Sequence, residues 1–286
     1  PRTLLVAISP VLVGATMGFE RTGGIDWLAA LLVLGAALLM QVITNMQNDV
    51  GYTVRGGDSS GTRTGLPRAT SSGWLSVRHV RGAIVLTALA SVGIGLALVA
   101  YGGWPVLAVG TASLLAALAY MGGPRPIAYT PFGELTVFVF FGLVAVTGTD
   151  WMLTGSVGGV SVLASMAIGG LAAAALAVNN HRDIAHDRLV GRRTFAVTFG
   201  AGVSLKLYAL LLLGPFALLL PMSLQAAAPA MMLPLLLLPG AWRLYRDFAS
   251  CPPGLAFNEI LFRTFRLELW FAALLSAGTL LGRALA

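Results

Sequence analysis

Charge is what this chain has least of: 10% of its 286 residues are Asp, Glu, Lys or Arg, against about a quarter in an ordinary soluble domain. With 57% hydrophobic residues and a mean hydropathy of +0.84, it has too little polar surface to cover itself in water. That excludes an ordinary water-soluble enzyme and makes lipid the main solvent. Cysteine is nearly absent as well. The single Cys251 permits no internal disulfide, and with no CxxC pair or Cys/His cluster there is no structural zinc site to read. No basic-apolar-small leader is expected ahead of the first apolar stretch, and with no initial Met the chain is expected to start downstream of its true beginning.

What the chain has in quantity is long apolar sequence. A helix crosses a bilayer with roughly 20 mostly apolar residues, and nine stretches approach that length, near 3–19, 27–48, 82–101, 104–121, 132–153, 157–180, 203–222, 227–244 and 264–284. They are rich in Leu, Ala, Val and Gly, and the small residues suit close helix contacts in lipid. The ten-residue alternation of a membrane β-barrel is missing. The expected fold is therefore all-α: one polytopic membrane bundle of about nine transmembrane helices, spanning 1–286 as a single domain.

Of the 18 Lys and Arg residues, 16 fall on the N-terminal side of these stretches; Arg21 and Arg283 fall on the other, with Glu20, Asp26 and Asp150. Short loops rich in Lys and Arg stay in the cytoplasm, so the net charge of +7 is first a topology signal. A nucleic-acid partner is not expected, because the basic residues are divided among separate loops without aromatic interleaving.

Two junctions on the basic side hold most of its acidic residues. The first runs Asn45-Met46-Gln47-Asn48-Asp49 and on to Asp58; the second runs Asn179-Asn180-His181-Arg182-Asp183 and on to Asp187. Both contain Asn-x-x-x-Asp, and residues four apart share a helical face. Their matching places, four spans apart, suggest two pseudo-repeats, with motifs at 45–58 and 179–187, facing one cavity. Polar groups near membrane depth are costly and mark function. Carboxylates with carboxamide oxygens are hard ligands suited to Mg²⁺, which completes its shell with water and phosphate oxygens. A diphosphate is the natural partner, and Arg63, Arg68, Arg192 and Arg193 supply guanidinium groups for it.

Asn-x-x-x-Asp alone reads as helix capping; two copies at corresponding positions weigh against that. His181 and His186 read as surface or supporting groups rather than metal ligands. Tyr120, ahead of Gly122-Gly123-Pro124, suits an interfacial anchor or an active-site role equally. Glu134 is expected to pair with a nearby Arg, and Cys251, beside Pro252 and Pro253, reads as a loop residue.

These motifs resemble the UbiA superfamily of intramembrane prenyltransferases, and within it the branch that prenylates 1,4-dihydroxy-2-naphthoate in the menaquinone pathway. The likeness runs through Pro1-Arg2-Thr3-Leu4, Asn45 to Asp58, Arg68-Ala69 with Ser72-Gly73, Tyr120-x-Gly-Gly-Pro, Phe132-Gly133-Glu134, Asn179-Asn180-x-Arg182-Asp183-x-x-x-Asp187-Arg188 and Gly191-x-Arg193-Thr194. The resemblance implies Mg²⁺ held by both Asp motifs, through Asn48, Asp49, Asp58, Asp183 and Asp187. It implies a polyprenyl diphosphate bound with help from Asn45, Asn48, Arg63, Arg68, Asn179, Arg192 and Arg193, and an allylic cation attacked by an aromatic ring that then loses CO₂. Asp49, Asp58, Asp183 and Asp187 would be the catalytic carboxylates; Arg2, Tyr120 and Arg125 are candidates for contacting the acceptor. The implied location is a bacterial inner membrane, with the site on the cytoplasmic side.

One position departs from the family pattern. Three residues after Asp49, where the family has a second Asp, stands Tyr52. Other readings of the motifs are prenylation of a different aromatic acceptor, a UbiA-type terpene cyclase, and a small-molecule transporter. The transporter would carry its polar residues in mid-span. The Asp-Gly-x-x-Ala-Arg signature of CDP-alcohol phosphotransferases is missing.

Overall fold

Leu, Ala and Val favour helix, and in lipid each backbone polar group must be satisfied within its own segment. The computed structural model, describing residues 3–57, 67–252 and 254–285, is accordingly helical. Helix α1 (Leu4–Thr22) ends where Gly23 takes the left-handed conformation, φ 77°. Helix α2 (Trp27–Val54) starts on the Asp26 carboxylate, which accepts from the Ala29 N–H at 3.0 Å, and α3 (Val77–Gly102) starts on Ser76 in the same way. Then come α4 (Trp104–Met121), a 3₁₀ turn (Ile127–Tyr129) and α5 (Gly133–Val137), which runs through a π-helical segment (Phe138–Val144) into α6 (Ala145–Thr154). Helix α7 (Gly159–Arg182) is followed by the short α8 (Ile184–Leu189) and α9 (Phe195–Phe199). The chain closes with α10 (Ala201–Ala217), α11 (Leu219–Gln225), a 3₁₀ segment (Pro229–Leu237), α12 (Leu238–Ser250) and α13 (Phe257–Leu285).

The nine apolar stretches all fall on helical segments, and among the described residues six segments are long and apolar enough to cross a membrane: 27–54, 77–102, 133–154, 159–182, 201–225 and 257–285. The stretch at 227–244 differs most from a simple span. Pro229 and Pro234 remove backbone donors, so its first half is 3₁₀; its second half belongs to α12, which buries Ala241, Leu244 and Phe248 on one face and exposes Trp242, Arg243 and Arg246 on another.

Helix α7 is the centre of the bundle, packed by α1, α10, α13 and the π segment. Its run of Gly and Ala makes that possible. A Cβ on Gly142 of the π segment would lie 2.6 Å from the Gly169 Cα, so the two backbones touch where neither residue has a side chain. Helices α2, α3 and α4 form a second layer. Between the two layers lies a cavity of about 630 Å³.

Candidate active site

The cavity is apolar along most of its length and polar at one end. Along α2 its lining extends from Val33 to Asn48, 15 residues or about 22 Å at helical rise. Phe140, Phe141 and Val144 of the π segment line one wall, and Trp151 and Met152 lie at the end away from the motifs. The polar end carries Thr3, Asn45, Asn48, Tyr120 and Asn179. Asn45 donates to the Thr3 hydroxyl at 3.0 Å, tying α2 to the start of α1. The carboxamides of both motifs thus face one space, whereas Asp49, Asp183 and Asp187, expected on the same faces, are not among the residues that line it.

The two motifs are joined by one guanidinium. Arg192 donates through Nη1 to Asp187 Oδ1 at 2.6 Å and, through the same nitrogen, to the Tyr52 hydroxyl; Nη2 and Nε bond the Ala128 carbonyl at 3.1 and 3.3 Å. Tyr52 belongs to the first motif and Asp187 to the second. Arg192 and Asp187 are both buried, and burial pushes Arg192 down to about 9, which leaves it charged at neutral pH. Arg68 packs on the other motif: its Cζ stands 3.8 Å from the Tyr52 ring centroid and its Nη1 donates to the Asn48 carbonyl at 3.1 Å.

Asp49 and Asp183 of the motifs, and Glu134 beside them, each have a defined partner. Asp49 accepts from the Ala69 and Thr70 N–H groups at 2.8 and 3.0 Å and from the Thr70 hydroxyl, so it seats the 68–73 turn that carries Arg68. Asp183 takes a two-pronged pair from its neighbour Arg182, at 2.8 and 2.6 Å, and Arg182 reaches on to Asn258 Oδ1 of α13 at 2.6 Å. Glu134 has a partner that sequence did not predict: not an Arg but Asn180, whose amide donates to it at 2.9 Å. Gly133 beside it leaves room for the Tyr120 hydroxyl, which would stand 3.8 Å from a Cβ there. His181 contacts the Ser204 hydroxyl at 3.1 Å and the Phe248 and Phe257 rings, while His186 is buried. Arg125 and Arg193 are exposed at the same end. Arg2, Asp58 and Arg63 lie outside the described residues.

Among the described residues no three carboxylate, imidazole or thiol groups converge on one point. A magnesium ion needs fewer, because it takes one or two carboxylates and leaves the rest of its shell to water and phosphate. Asp183 and Asp187 answer that description: the Asp187 N–H bonds the Asp183 carbonyl at 2.7 Å, so they stand one helical turn apart, with the Asn179 amide oxygen a further turn back. Both are held by guanidinium groups now, which is how buried carboxylates balance their charge without a metal. Hard oxygen donors, arginines and an apolar channel about 22 Å long together suit a molecule with a di-anionic head and a long hydrocarbon tail.

Known proteins resemble this chain in sequence and in fold. The profile of the UbiA prenyltransferase family matches residues 7–257. The 1,4-dihydroxy-2-naphthoate octaprenyltransferase of Escherichia coli (strain K12) is 34% identical over 220 residues, covering 75% of this chain and 71% of that one. The enzyme of the same name from Mycobacterium leprae (strain TN) is 32% identical over 283 residues, 99% of this chain and 95% of that one. Among solved structures, a UbiA homologue from Archaeoglobus fulgidus bound to DMAPP and Mg²⁺ superposes with a TM-score of 0.69 at 17% identity, covering 98% and 96% of the two chains, which establishes a common fold.

Proposed function

Because the chain belongs to the UbiA prenyltransferase family and is a prenyltransferase, we propose that it moves a polyprenyl group from its diphosphate onto 1,4-dihydroxy-2-naphthoate, with loss of diphosphate and CO₂. The observation that carries this reading is the Tyr52–Arg192–Asp187 link, which joins both Asp motifs one helical turn beyond Asn48, where α2 leaves the polar end of the apolar channel. The octaprenyltransferases at 32–35% identity support the choice of acceptor and pathway, that of menaquinone.

In this reading the isoprenoid tail lies along α2 among apolar side chains, and its diphosphate sits at the motif end against Arg68 and the exposed Arg193. A magnesium ion held by Asp183 and Asp187 would neutralise charge on the departing diphosphate. The C–O bond breaks with its electron pair on the leaving group, and Tyr120, Phe140 and Phe141 offer ring faces to the allylic cation left behind. Apolar walls keep water from that cation. An electron-rich ring carbon of the acceptor then closes the new C–C bond. Arg125, Arg2 and Tyr120 are the groups proposed to meet the acceptor, and Asn45, Asn48, Asn179, Asp58 and Arg63 are proposed to complete the diphosphate end. The chain works in this scheme as one integral-membrane domain whose two motif-bearing repeats share a site, facing the cytoplasm from a bacterial inner membrane.

The test is substitution at the second motif. Asp183→Ala and Asp187→Ala should each abolish product formation in membranes supplied with prenyl diphosphate, Mg²⁺ and dihydroxynaphthoate. Wild-type turnover in both would remove the proposed site.

A further inference from the structure

The two halves of the site differ in what they offer a diphosphate. At the second motif stand Asp183 and Asp187. At the first, Asp49 spends its oxygens on the Ala69 and Thr70 donors, and the next residue on its face is an aromatic ring. Tyr52 lies one turn beyond Asn48 on α2, so it continues the stripe Gln41, Asn45, Asn48 that lines the cavity. It is only 4% exposed. The 56–57 turn wraps it: the Gly57 N–H bonds the Tyr52 carbonyl at 2.8 Å, and a Cβ on Gly57 would meet the ring at 2.6 Å. The ring therefore fills its place and leaves no room there for a hydrated ion.

Its neighbours are cations. The Arg68 Cζ is 3.8 Å and the Arg192 Cζ 4.9 Å from the Tyr52 centroid; Tyr129 extends the cluster, with Arg192 at 5.6 Å and Arg55 at 5.3 Å. All lie within the range of attraction between a guanidinium and an aromatic face. A neutral phenol gives a divalent ion no charge to bind, and the Arg68 guanidinium stacked on the ring repels one, while Arg192 already shares its charge with Asp187. The same groups suit a phosphate oxygen, for which an arginine presents paired donors.

We propose that Tyr52 makes the diphosphate site one-sided: a single divalent ion binds at the second motif, and at the first motif the Arg68–Tyr52–Arg192 cluster takes the place of a second ion. Tyr52 is then a positioning residue, which holds Arg192 through its hydroxyl and Arg68 through its ring. The proposal rests on the diphosphate reading above, and its failure can be told apart from the failure of that reading.

The experiment counts ions. The full chain in lipid nanodiscs is titrated with Mn²⁺ in the presence of an unreactive prenyl thiolodiphosphate, and bound Mn²⁺ is counted by electron paramagnetic resonance. Wild type should bind one ion per chain. Tyr52→Asp removes the ring and adds a carboxylate, and should bind two, with the spectral broadening of a coupled pair. Tyr52→Phe keeps the ring and loses the hydroxyl; it should still bind one ion, while KM for prenyl diphosphate rises about tenfold, the lower range for a hydrogen bond to a charged group, and kcat changes less. Two ions in wild type, or one in a folded Tyr52→Asp, overturns the proposal. The wild-type count decides even where Tyr52→Asp does not fold. No bound Mn²⁺ and no thiolodiphosphate binding in wild type overturns the diphosphate reading itself.

Discussion

Asp49 offers the sharpest test of how the first motif works, because its contacts assign it an indirect role. Its carboxylate seats the 68–73 turn on α2, and the turn keeps its own internal bonds: Ser72 N–H to the Arg68 carbonyl at 2.9 Å and Trp74 N–H to the Ala69 carbonyl at 2.9 Å. Asp49→Ala should leave the turn folded but less firmly seated, so that Arg68 is held less firmly over Tyr52. Hydrogen bonds to a charged acceptor are worth about 1.5–3 kcal/mol each. The turn keeps other ties, among them Arg68 Nη1 to the Asn48 carbonyl at 3.1 Å, Thr70 to Thr53 at 2.6 Å and the Thr70 hydroxyl to the Asp49 backbone carbonyl at 3.3 Å, so the net loss should match about one such bond. That is a fall of about 10- to 100-fold in kcat/KM for prenyl diphosphate, at 1.36 kcal/mol per decade. Arg68→Ala should cost about the same. If Asp49 acts through Arg68, the double variant should stay within about threefold of the worse single one, because the second change removes what the first has already displaced. Steady-state kinetics on the four proteins reads this directly. Losses that multiply in the double variant, to about 100-fold if each single loss is tenfold and about 10,000-fold if each is a hundredfold, would show that Asp49 acts on substrate or metal independently of the turn.

Further tests concern the bundle. Gly142→Ala places a Cβ against the Gly169 backbone and should lower thermal stability in detergent by at least about 1–3 kcal/mol, whereas Gly148→Ala, which meets nothing within 4 Å, should be near neutral. At the end away from the motifs, Asp150 is buried and accepts from the Ser161 hydroxyl at 2.5 Å, the Gly158 N–H at 3.1 Å and Arg21 at 3.4 Å. Asp150→Ala should therefore cost about 2–4 kcal/mol in unfolding experiments, Arg21→Ala less because Arg21 is partly exposed, and neither should change KM for prenyl diphosphate. Glu268 is fully buried in α13, and neither carboxyl oxygen has a hydrogen-bond partner among the described residues. Glu268→Leu should raise stability by about 1–3 kcal/mol with turnover intact; a folded but inactive variant would contradict that.

Much of this architecture is legible in the sequence because lipid simplifies the rules. Twenty apolar residues between polar junctions leave the backbone no alternative to helix, so the stretches are found as helix; among the described residues six segments rather than nine are long and apolar enough to cross a membrane, and proline at 229–237 disturbs its stretch most. The four-residue period puts Asn45 with Asp49 and Asn179 with Asp183 and Asp187; the carboxamides Asn45, Asn48 and Asn179 line one cavity, and the three carboxylates do not. Partners are a different matter. Arg192 reaches Tyr52 across 140 positions of sequence, and nothing local to either residue announces the contact. The same holds for Arg182 with Asn258 and for Glu134 with Asn180, where charge suggested an arginine and the fold supplied an amide. Asp49 reads as a ligand by type; that its oxygens meet the 69–70 backbone depends on the path of a turn twenty residues away. Tyr52 stood out only as a departure from a pattern, and its role came from the two guanidinium groups packed on it.

Aromatic prenyl transfer is the central claim, and product analysis addresses it most directly. Membranes containing the chain are given a polyprenyl diphosphate, Mg²⁺ and dihydroxynaphthoate labelled with ¹³C in its carboxyl group, with and without the acceptor, and products are identified by mass. Aromatic prenyl transfer yields a prenylated naphthalene ring lacking the label, with diphosphate and labelled CO₂ released in equal amounts and no product when the acceptor is left out. A cyclic hydrocarbon or alcohol formed without the acceptor, or no diphosphate release with any aromatic acceptor, would contradict it.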